Sequence, residues 1–550
     1  MSITLPRRLL ACALALALLV IPLSSTVAAP RPPRPLVTIQ LLDVSDWHAQ
    51  LDPITVTGLG TVGGAAELSA YWQADRAANP NTLTLTAGDA FGASPPLSGL
   101  FNEEPAVLAM NLMGFDVDTF GNHNFDRGIA HLQQMIDLAE FSYVSANLDN
   151  VDENLTGVEP YKIFDVGGVK VAVIGITNPE APTLVFPGSF GTIEVTDPIP
   201  AANKARSDAK QEGAQVFVAI THLGVTSIDP VTGEASGPLI DFANNVGAFD
   251  VILGDHTDVQ YSTVIGNKLV VENRSKGVSY SRITLTVDPQ NGRVNSKTNT
   301  FVTPFSNAVT PDPAIVSLLA PYRTALAAVL DGVIGVAANL FPRGGNIERR
   351  EEVAIGNLVA DALRLRYGTQ LALTNGGGIR AALPSSYLPA DHTLRRTSPG
   401  YAPGPPYDLV VGDVFTVLPF GNSVVTRDVT GAQLWAALEN GVSRISATTC
   451  LGTDGRFPQI SGFKFTFKCS NAVGSRVTLV TLTDGTPIPN DGTLYSFSTN
   501  DFVNAGGDFY TMFADGQGTT REVMADVVQA YIQDLGTITP VIEGRITKIP

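Results

Sequence analysis

Residues 117–126 read Val-Asp-Thr-Phe-Gly-Asn-His-Asn-Phe-Asp: a short candidate strand that leads straight into a loop holding Asn122, His123 and Asp126. The same arrangement recurs through the first half of the chain. Residues 36–42 lead into Asp46-Trp47-His48, 82–86 into Gly88-Asp89, 216–220 into Thr221-His222-Leu223-Gly224, and 251–253 into Gly254-Asp255-His256-Thr257-Asp258. A further apolar run spans 169–176, and helical stretches at 104–113, 129–139, 201–212 and 240–246 alternate with these strands. Alternating β and α elements predict an α/β layered domain over residues 36–310. Loops at the carboxyl ends of such strands share one sheet edge, where α/β folds bind ligands. A lone His after a strand is ordinarily structural, and Asp in Gly-Asp is ordinarily a turn residue. Five such loops at strand ends, holding four of the six histidines, point instead to shared chemistry. Asp, His and Asn together supply donors suited to Zn²⁺, Mn²⁺ or similar ions. His131, inside a helix, and His392, in a polar loop, read as structural.

The 550 residues suffice for two or three domains, and 44% hydrophobic content excludes wholesale disorder. With 35 basic and 52 acidic residues the net charge is −17. That balance argues against binding nucleic-acid polymers or anionic lipid, so any phosphate chemistry needs local compensation by metal ions or a few arginines. Arg7-Arg8, an apolar run at 9–23 and Val27-Ala28-Ala29 read as an export signal over 1–29, with a retained membrane anchor as the alternative. The expected location is secreted, cell-envelope or periplasmic, with no stable membrane insertion after cleavage. Nothing from residue 36 onward reads as long and apolar enough to span a bilayer. Cys12 leaves with the signal, and Cys450 and Cys469 are expected to pair, the alternative being two buried thiols. Residues 311–340 read as a helical connector, and 341–550 as a second mixed α/β domain with a Pro/Gly/Tyr-rich surface loop at 398–407.

Asp-x-His, Gly-Asp, Gly-Asn-His-x-x-Asp, a lone strand-end His and a final Gly-x-His-x motif together resemble the calcineurin-like metallophosphoesterase signature. Their order is similar to that of the secreted 5′-nucleotidase/UDP-sugar hydrolase family. Residues 356–362 (Gly-Asn-Leu-Val-Ala-Asp-Ala), 375–380 (Asn-Gly-Gly-Gly-Ile-Arg), 418–422 (Leu-Pro-Phe-Gly-Asn) and 500–508 (Asn-Asp-Phe-Val-Asn-Ala-Gly-Gly-Asp) extend the resemblance through the second domain. Residues 375–380 are not a Walker loop, because Gly-Lys-Ser/Thr is missing.

The resemblance implies a metallophosphoesterase domain followed by a substrate-binding domain. It implies two divalent metal ions held by Asp46, His48, Asp89, Asn122, His222, His256 and Asp258, with Asp89 bridging, and a catalytic pair of His123 and Asp126. It further implies that Arg349, Asn375 and Arg380 bind the substrate's polar groups, that Phe420 and Phe502 sandwich a nucleobase, that Asp508 accepts from ribose, and that Asn422 touches the base edge. The implied activity is hydrolysis of nucleoside 5′-monophosphates to nucleoside and phosphate by metal-activated water. UDP-sugars, nucleoside di- or triphosphates and 2′,3′-cyclic nucleotides stay open as substrates, and a non-catalytic surface-binding protein is the remote alternative. Two departures stand out: Asp258 replaces the family's His or Gln, which points to altered metal preference, and Asn124 replaces its commoner Glu, which points to weaker support of the site. Oligomeric state, base preference and metal identity stay open.

Overall fold

Two facing sheets carry the first half of the chain in a computed structural model that describes residues 35–550 apart from residue 57. The expected signal at 1–29 lies outside the described residues. One sheet runs in the order Arg293–Val302, Tyr280–Asp288, Val37–Val44, Thr82–Thr86, Val117–Asp118, Ser142–Val144, Val158–Glu159. The other runs Tyr261–Ile265, Lys268–Glu272, Val251–Gly254, Val216–Thr221, Val169–Ile176, Tyr161–Val166. Strand alternation builds the layers. Ile39, Leu41, Leu83, Leu85, Val171, Val173, Val218 and Val251 point between the sheets. Leu42 and Val44 turn outward to pack on Trp72, Met110 and Met113 of the helices Ala65–Ala78 and Glu104–Met113. On the far side, Ile174, Ala219 and Ile252 meet Ala202, Ala205 and Phe242 of Pro198–Gln211 and Pro238–Asn245. The result is the expected layered α/β architecture, helices outside and two sheets within.

The second half is mixed α/β. Its largest sheet runs Pro458–Ser461, Leu371–Asn375, Leu494–Asn500, Ser423–Thr430, Thr519–Val523. Helices Ala354–Tyr367 and Met524–Leu535 share one core with Val424, and Gly431–Gly441 shares another with Phe463, Phe465 and Phe497. Cys450 and Cys469 are disulfide-bonded. The loop at 398–407 is largely solvent-exposed, with Tyr401 half-buried and its hydroxyl on the Pro389 carbonyl (2.6 Å).

The helix Pro313–Leu330 corrects one expectation. At 18 residues and mean hydropathy 1.5 it is, by length and composition, long and apolar enough to cross a membrane. Ile315, Leu319, Leu326 and Leu330 nevertheless lie in the core with Trp72, Met110, Tyr387 and Val410, so its apolar stripe is spent on protein packing. Asp312 caps it by accepting from the Ala314 N–H, and also accepts from Ser69 Oγ and Gln73 Nε2, both at 2.7 Å.

Candidate functional site

The expected strand-end loops meet at one edge of the facing sheets. Asp89, His222 and His256 bring donor atoms within 4.8 Å of one another, as do Asp46, His48 and Asp89, so Asp89 belongs to both groups. His48 Nδ1–H donates to the Gly92 carbonyl (2.8 Å) and His222 Nδ1–H to the Ala87 carbonyl (3.1 Å). A carbonyl only accepts, so each bond places a proton on Nδ1, and in the neutral ring the lone pair is then on Nε2. His222 Nε2 stands 3.2 Å from Asp89 Oδ2 and 3.1 Å from His256 Nδ1. Asn122 Oδ1 is buried with no hydrogen-bond partner. Imidazole and carboxylate donors in two groups that share Asp89 fit the binding of divalent cations.

Burial pushes the Asp46 carboxyl up to about 7. It also lowers His256 to about 3, with help from His222, and with Arg380 holds His48 well below the usual imidazole range. Burial opposes charge on His222 too, but the Asp89 carboxylate prevails and lifts it to about 9. His48 and His256 are therefore neutral, as a ligand must be. Asp46, His48, Asp89, His256 and Asp258 all have positive φ, between 39° and 87°. Such backbone costs about 1–3 kcal/mol per residue and persists where surrounding structure enforces it, typically at functional sites. Gly121 is needed for a different reason: a Cβ there would lie 2.2 Å from Asp89 Oδ1.

Buried acceptors tie these loops together. Asn124 Oδ1 accepts from the N–H groups of Gly121 (2.8 Å) and Asp89 (3.2 Å), so support expected to be weak at this position is made by the amide. Asp255, which the sequence reading passed over, accepts from the Asp46 N–H (3.0 Å) and its carboxylate also joins Asp46 and His222 in a third donor group. Asp258 stands outside all three groups. Its carboxylate accepts from Asn346 Nδ2 of the second half (2.6 Å), and although burial works against ionisation, Arg343 and Arg349 hold it below the usual carboxylate range.

His123 begins a short 3₁₀ turn, His123–Phe125, which turns its ring back on Asp126; Nδ1 lies 3.0 Å from both carboxylate oxygens. Asp89 Oδ1 accepts from the His123 N–H (2.8 Å), joining this pair to the donor groups. A cleft of about 1100 Å³ opens here, lined by His123, Asp126 and His256 from the first half and by Arg349, Asn375, Arg380, Phe420, Asn422, Phe502 and Asp508 from the second.

Within it, Asn375 Nδ2 donates to Asp508 Oδ2 (2.7 Å), Asn422 Nδ2 to Asp501 Oδ1 (2.8 Å), and Arg380 Nη2 to His48 Nε2 (2.9 Å). The Phe420 ring stacks on His123, centroids 5.4 Å apart and planes 21° from parallel, with the Arg380 guanidinium 5.8 Å from its centre. Phe502 lies against Gly507, where a Cβ would sit 2.2 Å from the ring. Arg343 stands nearby, its Nε 2.9 Å from the fully buried Glu348 and 3.0 Å from the Ile379 carbonyl. Its signal in the sequence was only its nearness to Arg349.

Residues 333–515 match the 5′-nucleotidase C-terminal domain family, beginning ahead of the boundary expected at 341. The chain is 29% identical over 86% of its length to endonuclease YhcR of Bacillus subtilis, and 27% identical over 94% to the trifunctional nucleotide phosphoesterase YfkN of the same organism. It spans only 37% and 36% of the lengths of those two proteins. The solved structure of a 5′-nucleotidase precursor from Thermus thermophilus superimposes with a TM-score of 0.82 at 29% identity, covering 93% of this chain and 99% of that one. Family match and shared fold agree: residues 333–515 form a 5′-nucleotidase C-terminal domain, and the chain as a whole resembles 5′-nucleotidases and related phosphoesterases.

Proposed function

We propose that the protein hydrolyses nucleoside 5′-monophosphates to nucleoside and phosphate. One observation carries the reading: two cation-donor groups sharing Asp89 stand beside the His123–Asp126 pair, whose cleft also holds arginines, phenylalanines and Asp508. Asp46, His48, Asp89, Asn122, His222 and His256 would hold two divalent ions, and Asp258 is kept as an outer candidate. When bound, such ions supply a nucleophilic water at neutral pH and positive charge for the phosphoryl oxygens. Arg349 and Arg380 clamp phosphate oxygens in a planar, bidentate way that Lys does not offer. Asp126 orients His123 through Nδ1, leaving Nε2–H to give its proton to the departing 5′ oxygen as the P–O bond breaks. Phe420 and Phe502 stack the base, Asp508 accepts from ribose, and Asn422 meets the base edge. In this reading residues 36–310 do the chemistry, 341–550 select the substrate, and 311–340 join them.

The cleft volume, at the upper end for small-ligand sites, supports a second reading in which UDP-sugars, nucleoside di- or triphosphates or 2′,3′-cyclic nucleotides enter the same site. A phosphate-release screen across these nucleotides with Mn²⁺, Zn²⁺, Co²⁺ and Mg²⁺ separates the two; no hydrolysis of any nucleotide with any ion would reject both. We also infer export with cleavage after residue 29, which the Cys450–Cys469 disulfide supports. Sequencing the mature amino terminus tests it.

A further inference from the structure

Glu272 ends the strand Lys268–Glu272, in register with Gly254 of the neighbouring strand, and is fully buried. Its Oε2 accepts from the Val225 N–H (2.6 Å), three residues beyond His222. Its Oε1 accepts from the Val259 N–H (3.2 Å) and lies 2.6 Å from Thr257 Oγ1, in the loop that carries His256. One carboxyl group thus touches both loops that bring His222 and His256 to Asp89. Thr257 Oγ1 is also 2.7 Å from the Val225 carbonyl. A hydroxyl has a single proton, so Thr257 cannot donate to both oxygens. The contacts close if Glu272 carries a proton and gives it to Thr257 while Thr257 donates to the Val225 carbonyl. Burial, which raises this carboxyl well above the ordinary range, agrees.

We propose that Glu272 is a positioning residue that sets the separation of the His222 and His256 loops, and through it the strength of cation binding between them. The proposal rests on reading these histidines as metal donors. Buried groups that hold ligand loops in place are typically worth about 10–100-fold in metal affinity. Glu272→Gln keeps an oxygen for the Val225 N–H and an N–H for Thr257 and gives up only the longer contact to the Val259 N–H (3.2 Å), whereas Glu272→Ala keeps none of the three.

The test is competition of the whole protein with a chromophoric chelator for Zn²⁺ and Mn²⁺. Glu272→Ala should bind about 10–100-fold more weakly than wild type, Glu272→Gln within about threefold, and the lost turnover of Glu272→Ala should return as Mn²⁺ is raised. Wild-type affinity in Glu272→Ala, equal weakening in both variants, or turnover that excess Mn²⁺ does not restore would each overturn the proposal. If Glu272→Ala fails to fold, Thr257→Val removes the hydroxyl while keeping shape; weaker binding supports the proposal and unchanged binding overturns it. A wild-type protein that binds neither ion would instead sink the functional reading.

Discussion

Phe420→Ala and Phe502→Ala should differ on a substrate that has no base. Both rings line the cleft, and if they stack the base as proposed, each variant loses stacking worth about 1–3 kcal/mol, or about 5- to 150-fold in kcat/KM on AMP. Phe420 has a second contact that Phe502 lacks: its ring covers the His123 imidazole at 5.4 Å. An aromatic pair of this geometry contributes about 0.5–1.5 kcal/mol beyond its buried area. Removing it frees the imidazole to rotate off Asp126, which should lower kcat on p-nitrophenyl phosphate at saturation by about 2- to 12-fold. Phe502 rests on Gly507 and makes no ring contact with His123, so Phe502→Ala should leave that kcat within about twofold. Steady-state kinetics on AMP and on the aryl ester gives all four numbers. Equal kcat values for the two variants on the aryl ester would refute the view that Phe420 steadies the catalytic histidine. Equal losses on both substrates with falling melting temperatures would make the rings core residues only.

Asp89→Ala should lose metal and activity together, whereas His123→Ala should keep its metal and lose about 10²–10⁴-fold in turnover; metal loss in the His123 variant by elemental analysis would overturn the assignment. Asp43 is fully buried with both carboxylate oxygens unpartnered, and burial raises it to about 8, so the folded state keeps a proton that the unfolded chain releases above its ordinary value near 4. Wild-type stability therefore drops as pH rises from about 4 to 8, and Asp43→Asn should gain relative to it by nothing below pH 4 and by up to a few kcal/mol at pH 8; a melting-temperature difference that does not change with pH would refute this. A chain ending at residue 331 keeps the helix whose Ile315, Leu319, Leu326 and Leu330 share a core with Trp72 and Met110 of the first half, as well as with Tyr387 and Val410, so it should fold, hydrolyse p-nitrophenyl phosphate and lose most preference for AMP, whereas one ending at 310 should melt lower. AMP hydrolysis by the 331-residue chain at near-full kcat/KM would mean that the first half recognises the nucleotide alone.

The first half was legible because its central strands are largely buried and rich in apolar residues. The strands expected at 82–86 and 169–176 appear as Thr82–Thr86 and Val169–Ile176, and the helix at 104–113 as Glu104–Met113. The edge strand Arg293–Val302 was invisible for the opposite reason: it reads Arg-Val-Asn-Ser-Lys-Thr-Asn-Thr-Phe-Val, and none of its residues is fully buried. Pro313–Leu330 read as a free connector because periodicity shows an apolar stripe but not what covers it. The donor residues were legible one by one, yet Asp255 and Asp258 sit three residues apart in the same loop with the same side chain, and nothing local separates their roles.

What separates them is where the backbone sends each carboxylate. Asp255 turns inward to the Asp46 N–H and keeps the donor loops in register, and Asp258, at φ 62°, turns outward to Asn346. A carboxylate held by Asn346 and faced by Arg343 and Arg349 lies where the second half presents its guanidiniums to the first. Both Asp258 and a substrate phosphate are anions that these arginines attract, so the departure from His or Gln at 258 bears on how the halves meet as well as on which ion is held. Asp258→His would restore the family's residue and remove that anion together. If the side chain matters chiefly to the arginines, KM for AMP should change more than metal affinity.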